Sequence, residues 1–248
     1  MKTIIVTGAS GFIGLNVVEA FLKRGWRVRA LSFDGIPPLA AAEFASLPGE
    51  LDDRRGDVRD SAMLEALFEG GPVDAVMAGA AITSGPERER DNPSAIFEVN
   101  LVAPVKLLEI AAARGVPKML CFSSTSSMGS LPFDGQPVRE TDRPQPLTFY
   151  GATKSALETV GLRWNGFNAL PRLFVARLTA AIGPWERATG VRDTLSPPLA
   201  IVESALAGEA IAPLPEGGAR DYAYAPEGAE QIVWMLTRSE KHTPEPSH

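Results

Sequence analysis

The chain has 248 residues, of which 45% are hydrophobic and 22% charged, the balance of a folded globular protein with a sizeable core and not of a disordered or fibrous one. A formal net charge of −6 gives the surface no bulk attraction for nucleic acid or an anionic membrane, and no apolar run reaches the roughly 18 residues of a membrane span. The opening MKTIIVTG meets glycine before a secretory core forms, so the expected address is cytoplasmic. The single cysteine, Cys121, excludes an intrachain disulfide and a cysteine-based metal site. Both histidines, His242 and His248, lie in a polar tail, so a histidine base or triad lacks its central residue.

In chain order, Lys2 to Thr7 reads as a β-branched strand and Phe12 to Arg24 as a helix, with Ile13, Val17, Val18, Phe21 and Leu22 at helical spacing and Gly25 as its stop. Val28 to Leu31 is a second strand, Ala62 to Phe68 a short helix and Val73 to Ala78 a strand. Ser94 to Arg114 reads as one long helix and Pro117 to Phe122 as another strand. Ser130 to Thr148 has the proline, glycine and charge of a loop, and a helix resumes at Tyr150. A strand at Leu173 to Leu178 follows. After Gly183 and Pro184 the pattern loosens, with helices at Leu199 to Leu206 and Gly228 to Thr237, and the tail from Glu240 is expected to fray. Alternating strands and helices predict a parallel sheet covered on both faces.

IIVTGASGFIG sets Gly8, Gly11 and Gly14 at three-residue intervals between strand and helix, where backbone amides at a helix start approach an anion such as a pyrophosphate. Glycines serve any tight turn. The strand before and the amphipathic helix after make this one a dinucleotide site. In FYGATKSALE, Tyr150 and Lys154 are spaced i and i+4, so they share a helix face, and a lysine cation there favours the phenolate needed of a base in a chain without a usable histidine.

The T-G-x-x-G-x-x-G turn, the Tyr-x-x-x-Lys pair and the serines of FSSTSSMG together resemble the extended short-chain dehydrogenase/reductase superfamily, in particular its NAD-dependent epimerase/dehydratase family, over nearly the whole chain. The resemblance implies a Rossmann-type, doubly wound parallel sheet at 1–178 and a small, shortened substrate lobe at 179–248 interleaved with it. It implies catalysis by Ser124, Tyr150 and Lys154, with Ser124 chosen by the family's S-x-x-x-x-G pattern ending at Gly129 and Thr125 as the alternative hydroxyl.

Cofactor contacts are implied from Gly8, Ser10, Gly11, Phe12, Ile13 and Gly14, from Asp57 and Val58, from the alanine pair Ala80 and Ala81, and from Asn100, Tyr150 and Lys154. An acid at the end of the second strand would hold the adenosine ribose and repel a 2′-phosphate; Ser32 stands there and Asp34 two residues on, which leaves NAD and NADP both open. No metal is called for.

Substrate contacts are expected from Thr83, Ser124, Thr125, Arg187 and Arg220, the last in an Arg-Asp-Tyr segment typical of the family, with Arg192 in the same loop as Arg187. The family's diphosphate-binding asparagine is replaced by Ala180, and the Asp-Glu pair that dehydratases carry after the serine is absent. Hydride transfer by an epimerase or a dehydrogenase on a sugar nucleotide is therefore expected. The family's further strand and helix are missing after Thr237, which leaves an open cleft and a small sugar acid as the alternative substrate; a dinucleotide-binding regulator without chemistry is the alternative of another class. A homodimer is implied through the helices near Leu101 and Tyr150, where Leu101, Val105, Leu108 and Ala112 form an apolar stripe.

Overall fold

The computed structural model describes residues 1–167, 169–189, 196–210 and 221–238. Six parallel strands form one sheet: β1 (Thr3–Thr7), β2 (Arg27–Ser32), β3 (Glu50–Arg55), β4 (Ala75–Ala78), β5 (Lys118–Ser124) and β6 (Arg172–Leu178), in the order β3-β2-β1-β4-β5-β6. The chain winds outward from β1 in one direction, then returns to β4 and winds in the other. The order therefore reverses between β1 and β4, and the crevice beyond their C-terminal ends is where open α/β sheets take ligands.

Helices α1 (Phe12–Leu22), α2 (Pro38–Phe44), α3 (Ser61–Ala66), α4 (Pro86–Asp91), α5 (Pro93–Phe97), α6 (Ala103–Ala113), α7 (Phe149–Asn165), α8 (Pro197–Ala207) and α9 (Ala225–Thr237) complete the chain order, and β7 (Ala180–Ile182) pairs in parallel with β8 (Tyr222–Tyr224) as a separate small sheet. β1 is buried on both faces because its alternate side chains enter different cores. Ile4 and Val6 join Leu15, Val18 and Phe21 of α1, whereas Ile5 joins Leu64, Leu107 and Leu157 of α3, α6 and α7. Each such side chain, fully buried, is worth about 1.5–3 kcal/mol. Ala229, Ile232, Val233 and Leu236 of α9 belong to the first of these cores, so α9 packs on the sheet's α1 side although it lies within the 179–248 segment.

The structure adds elements that periodicity did not reveal. β3 is an edge strand of sequence ELDDRR, paired only with β2, and its charges suppress the apolar alternation of a strand while protecting an open sheet edge. The long helix expected over Ser94 to Arg114 is three pieces: α5, a π-helical turn over Glu98–Val102, and α6. The wide turn rotates Asn100 inward until it is fully buried. Leu108 of the expected dimer stripe faces the core at 3% exposure, and the large apolar side chains exposed in that region include Val102 and, on α7, Phe149 and Leu162. Among the described residues no helix is long and apolar enough to cross a membrane.

Candidate active site

The glycine turn is built so that side chains would destroy it. A Cβ on Gly14 would lie 2.1 Å from the Gly8 carbonyl oxygen, and one on Gly8, whose φ is +68°, would lie 2.6 Å from the Gly79 and Ala80 backbone at the end of β4. Gly11 caps α1 without a side-chain hydrogen bond, leaving the first amides of the helix to a ligand. The cradle therefore fits the phosphates of a dinucleotide. Next to it Thr7, Val58, Ala78, Ala80 and Val99 line a small cavity of about 10 Å³, which the expected cofactor residues Val58 and Ala80 both border.

Two expected cofactor residues are engaged with the protein. The Asn100 amide accepts from the Ile82 N–H at 2.8 Å and donates to the Ile82 carbonyl at 2.9 Å, so it fixes the loop that carries Ala80, Ala81 and Thr83. The Asp57 carboxylate accepts from the Arg59 guanidinium at 2.6 and 2.9 Å, and this bond, against the opposing effect of burial, holds its pKa below the ordinary value.

The side chains expected to react come from two elements. Ser124 ends β5 and its hydroxyl accepts from the Ser126 N–H at 3.2 Å, opening a tight turn that closes at Gly129. Gly129 has φ +64°, and a Cβ there would lie 2.0 Å from the Gln145 carbonyl oxygen, which explains why the pattern ends in glycine. Tyr150 lies in the first turn of α7. Gly151, its neighbour, abuts the serine turn: a Cβ would lie 2.5 Å from the Ser126 carbonyl oxygen. The Lys154 ammonium lies 5.4 Å from the centroid of the Tyr150 ring.

Lys154 is 3% exposed, and desolvation lowers its pKa to about 8. It therefore remains mostly charged at neutral pH. Cys121 nearby is pushed up to about 12 by burial and is a neutral thiol there, so it offers the lysine no counter-charge.

Residues that motif reading missed hold these pieces in register. Glu89 of α4 accepts from the Phe149 N–H at 2.7 Å, from the Tyr150 N–H at 3.4 Å and from the Ser84 hydroxyl at 3.2 Å. A carboxylate 60 positions away thus caps the helix of the tyrosine, together with Thr148, which accepts from the Gly151 N–H at 2.9 Å. Glu158, one turn beyond Lys154, accepts from the hydroxyls of Ser123 and Ser127 on either side of Ser124 and is held bidentately by Arg177 of β6 at 2.8 and 2.7 Å. Burial raises the Glu158 pKa, but the Arg177 and serine hydrogen bonds and the Arg177 charge outweigh it, so the net shift is downward. A lone glutamate in a helical pattern carries no sequence signal for either task.

Arg187, expected at the substrate, donates to the Ser10 carbonyl at 2.5 Å in the glycine turn. Arg192 and Arg220 lie outside the described residues. Asp221, which follows Arg220, accepts from the Thr179 hydroxyl at 2.7 Å, and β8 places its segment alongside β7 and Ala180. Among the described residues no group of three metal-ligating side chains gathers.

A β3-β2-β1-β4-β5-β6 sheet with a three-glycine turn and a serine, tyrosine and lysine at its C-terminal edge defines the extended short-chain dehydrogenase/reductase class. Residues 4–246 match the NAD dependent epimerase/dehydratase family, and the chain belongs to it. UDP-glucuronate 4-epimerase 3 of Arabidopsis thaliana is 34% identical over 190 residues, 75% of this chain and 44% of that protein. UDP-glucuronate 4-epimerase 2 of the same plant is 30% identical over 254 residues, 97% of this chain and 56% of that protein. The chain thus spans about half the length of the curated relatives it matches. Among solved structures, the UDP-glucose 4-epimerase of Thermus thermophilus in complex with NAD is 28% identical with a TM-score of 0.75, over 96% of this chain and 75% of that one. MoeE5 in complex with UDP-glucuronic acid and NAD is 25% identical with a TM-score of 0.76, over 96% and 73%.

Two measurements check the supports. Glu89→Ala strips the charged acceptor from the start of α7 and is expected to cost about 1–3 kcal/mol in urea unfolding, with Glu89→Gln recovering part of it. Because its folded pKa is depressed, Glu158 contributes stability that is complete above its ordinary value of 4.5 and lost as pH falls through the lower folded value. Glu158→Gln is expected to flatten that acid limb in melting curves recorded from pH 7 to pH 3.

Proposed function

We propose that this chain epimerises a sugar nucleotide at a ring hydroxyl by reversible oxidation, with a nicotinamide dinucleotide held at the glycine turn. The observation that carries the reading is the contact of Gly151 with Ser126, which sets the tyrosine helix directly against the turn of Ser124, with the buried Lys154 ammonium beneath the phenol. Ser124 orients the substrate hydroxyl. Tyr150 takes its proton as the carbon is oxidised and returns it on reduction, and the Lys154 charge favours the phenolate between these events. The nicotinamide, when bound, supplies the hydride acceptor and donor.

The positions after Ser124 hold Thr125 and Ser126, so no carboxylate stands ready to protonate a departing hydroxide, and dehydration is disfavoured. The relatives' names point to UDP-glucuronate or UDP-glucose as the kind of substrate. A dehydrogenase of a small sugar acid or hydroxy acid on the same scaffold is the second reading, supported by Ala180 standing where a diphosphate-binding asparagine was expected. A cytoplasmic address belongs to this proposal and is supported by the single, buried, unpaired thiol of Cys121. So does a homodimer across α6 and α7, supported by Val102 at 43% and Leu162 at 80% exposure.

Tyr150→Phe is expected to keep dinucleotide binding while turnover of UDP-glucuronate or UDP-glucose falls at least a hundredfold; unchanged turnover removes the tyrosine from the mechanism. With wild type, the epimeric sugar without net NADH identifies an epimerase, and accumulation of NADH absorbance identifies a dehydrogenase. Sedimentation equilibrium is expected to give twice the chain mass, with Leu162→Glu shifting it to the monomer.

A further inference from the structure

Two groups beside the glycine turn lack the partners their burial calls for. Ser32, the last residue of β2, is 4% exposed, and among the described residues its hydroxyl is the one buried side-chain oxygen or nitrogen with no hydrogen-bond partner. Buried hydroxyls are ordinarily satisfied, so this one marks a place for a ligand atom. Among the described residues the acceptors of Arg187, partly buried, are backbone carbonyls, of Ser10 at 2.5 Å and of Trp185 at 3.4 Å. No carboxylate among the described residues forms an ion pair with it; the charge that acts on it is that of exposed Asp34. A sheltered guanidinium resting on neutral acceptors has unspent capacity for an anion, since its bonds to phosphate are about twice as strong as those to neutral groups.

These groups belong to segments that meet at the end of β2. The Ala9 N–H donates to the Leu31 carbonyl at 3.3 Å, which presses the glycine turn against the end of β2 and sets Ser10 near Ser32. Arg187 bridges the two, bonded to Ser10 and within the field of Asp34. In the sheet register Ser32 stands beside Arg55 of β3, whose side chain covers Gly35 so closely that a Cβ there would lie 2.7 Å from its Nε. The second acid of the region, Asp53, is turned to the loop backbone and accepts from the Ile36 N–H at 3.0 Å.

The end of β2 is where the adenosine ribose of a dinucleotide lies, and a carboxylate there grips the 2′-hydroxyl and repels a 2′-phosphate. Here a hydroxyl stands in place of that carboxylate, with Arg55 as its register partner on β3 and Arg187 bonded to Ser10 in the adjoining glycine turn. We propose that the notch formed by Ser32, Arg187 and Arg55 receives a phosphate monoester on that ribose, so that the chain selects NADP over NAD. The inference rests on the reading that a dinucleotide occupies the glycine turn, and deepens it. Ser32 donates its free hydroxyl to the phosphate, and Arg187 exchanges carbonyl acceptors for phosphate oxygens. Because Arg187 follows β7, the same bond couples the cofactor's 2′ group to the substrate side of the protein.

Calorimetric titration of the full chain with NADP and with NAD tests this without turnover. NADP is expected to bind at least tenfold tighter. Arg187→Ala is expected to bring the two within about twofold by weakening NADP alone, and Ser32→Asp to make NAD the tighter ligand. Comparing 2′,5′-ADP with 5′-AMP on wild type asks the same question of the ribose phosphate without relying on any variant. Equal or tighter binding of NAD overturns the inference and leaves the proposed function standing. Equal weakening of both by Arg187→Ala assigns the arginine to the shared pyrophosphate and also overturns it. If neither dinucleotide binds, the proposed function falls, and the inference with it.

Discussion

The absence of a β-carbon at Gly151 is the constraint on which the active site depends. It lets the first turn of α7 lie against the Ser126 carbonyl, and so brings a phenol from one helix to a hydroxyl from the end of β5. A methyl group there would meet an oxygen at 2.5 Å, well inside normal contact. Neither backbone has room to retreat, because the serine turn is closed by Gly129 against Gln145 and α7 is seated on the sheet through Leu157.

Around this contact the protein spends its buried polar groups on alignment. Glu158 ties the serine strand, the serine turn and the lysine helix to β6 through Arg177, Glu89 fixes the helix start, and Asn100 fixes the loop after β4. Each supports a reacting element without being placed to react. Lys154 differs: it is buried beside a neutral thiol, so its charge is held at a cost in desolvation and acts on the adjoining ring with little screening.

The segment after β7 is drawn inward as well. Residues 184–187 are anchored to α1, α2 and the glycine turn: Asn16 donates to the Pro184 carbonyl, Trp185 donates to Glu19 and stacks edge-on against Phe44, and Arg187 reaches Ser10. With α9 packed beside α1, the later part of the chain and the glycine turn share one core.

Much of this was legible in the sequence because it is local. Three glycines at fixed spacing, a β-branched strand before them, and Tyr150 and Lys154 on one helical face are properties of neighbouring residues, and they pointed to the sheet class and to the candidate site. The charged edge strand β3 was hidden because its partner covers only one side, and the break in the helix through Asn100 because a π turn leaves apolar periodicity nearly intact. Only the tertiary structure could decide what Glu89, Glu158 and Arg187 do. Their partners lie 60, 35 and 177 positions away in the chain, and a carboxylate or guanidinium takes its role from whichever distant backbone or charge the fold sets within hydrogen-bond reach.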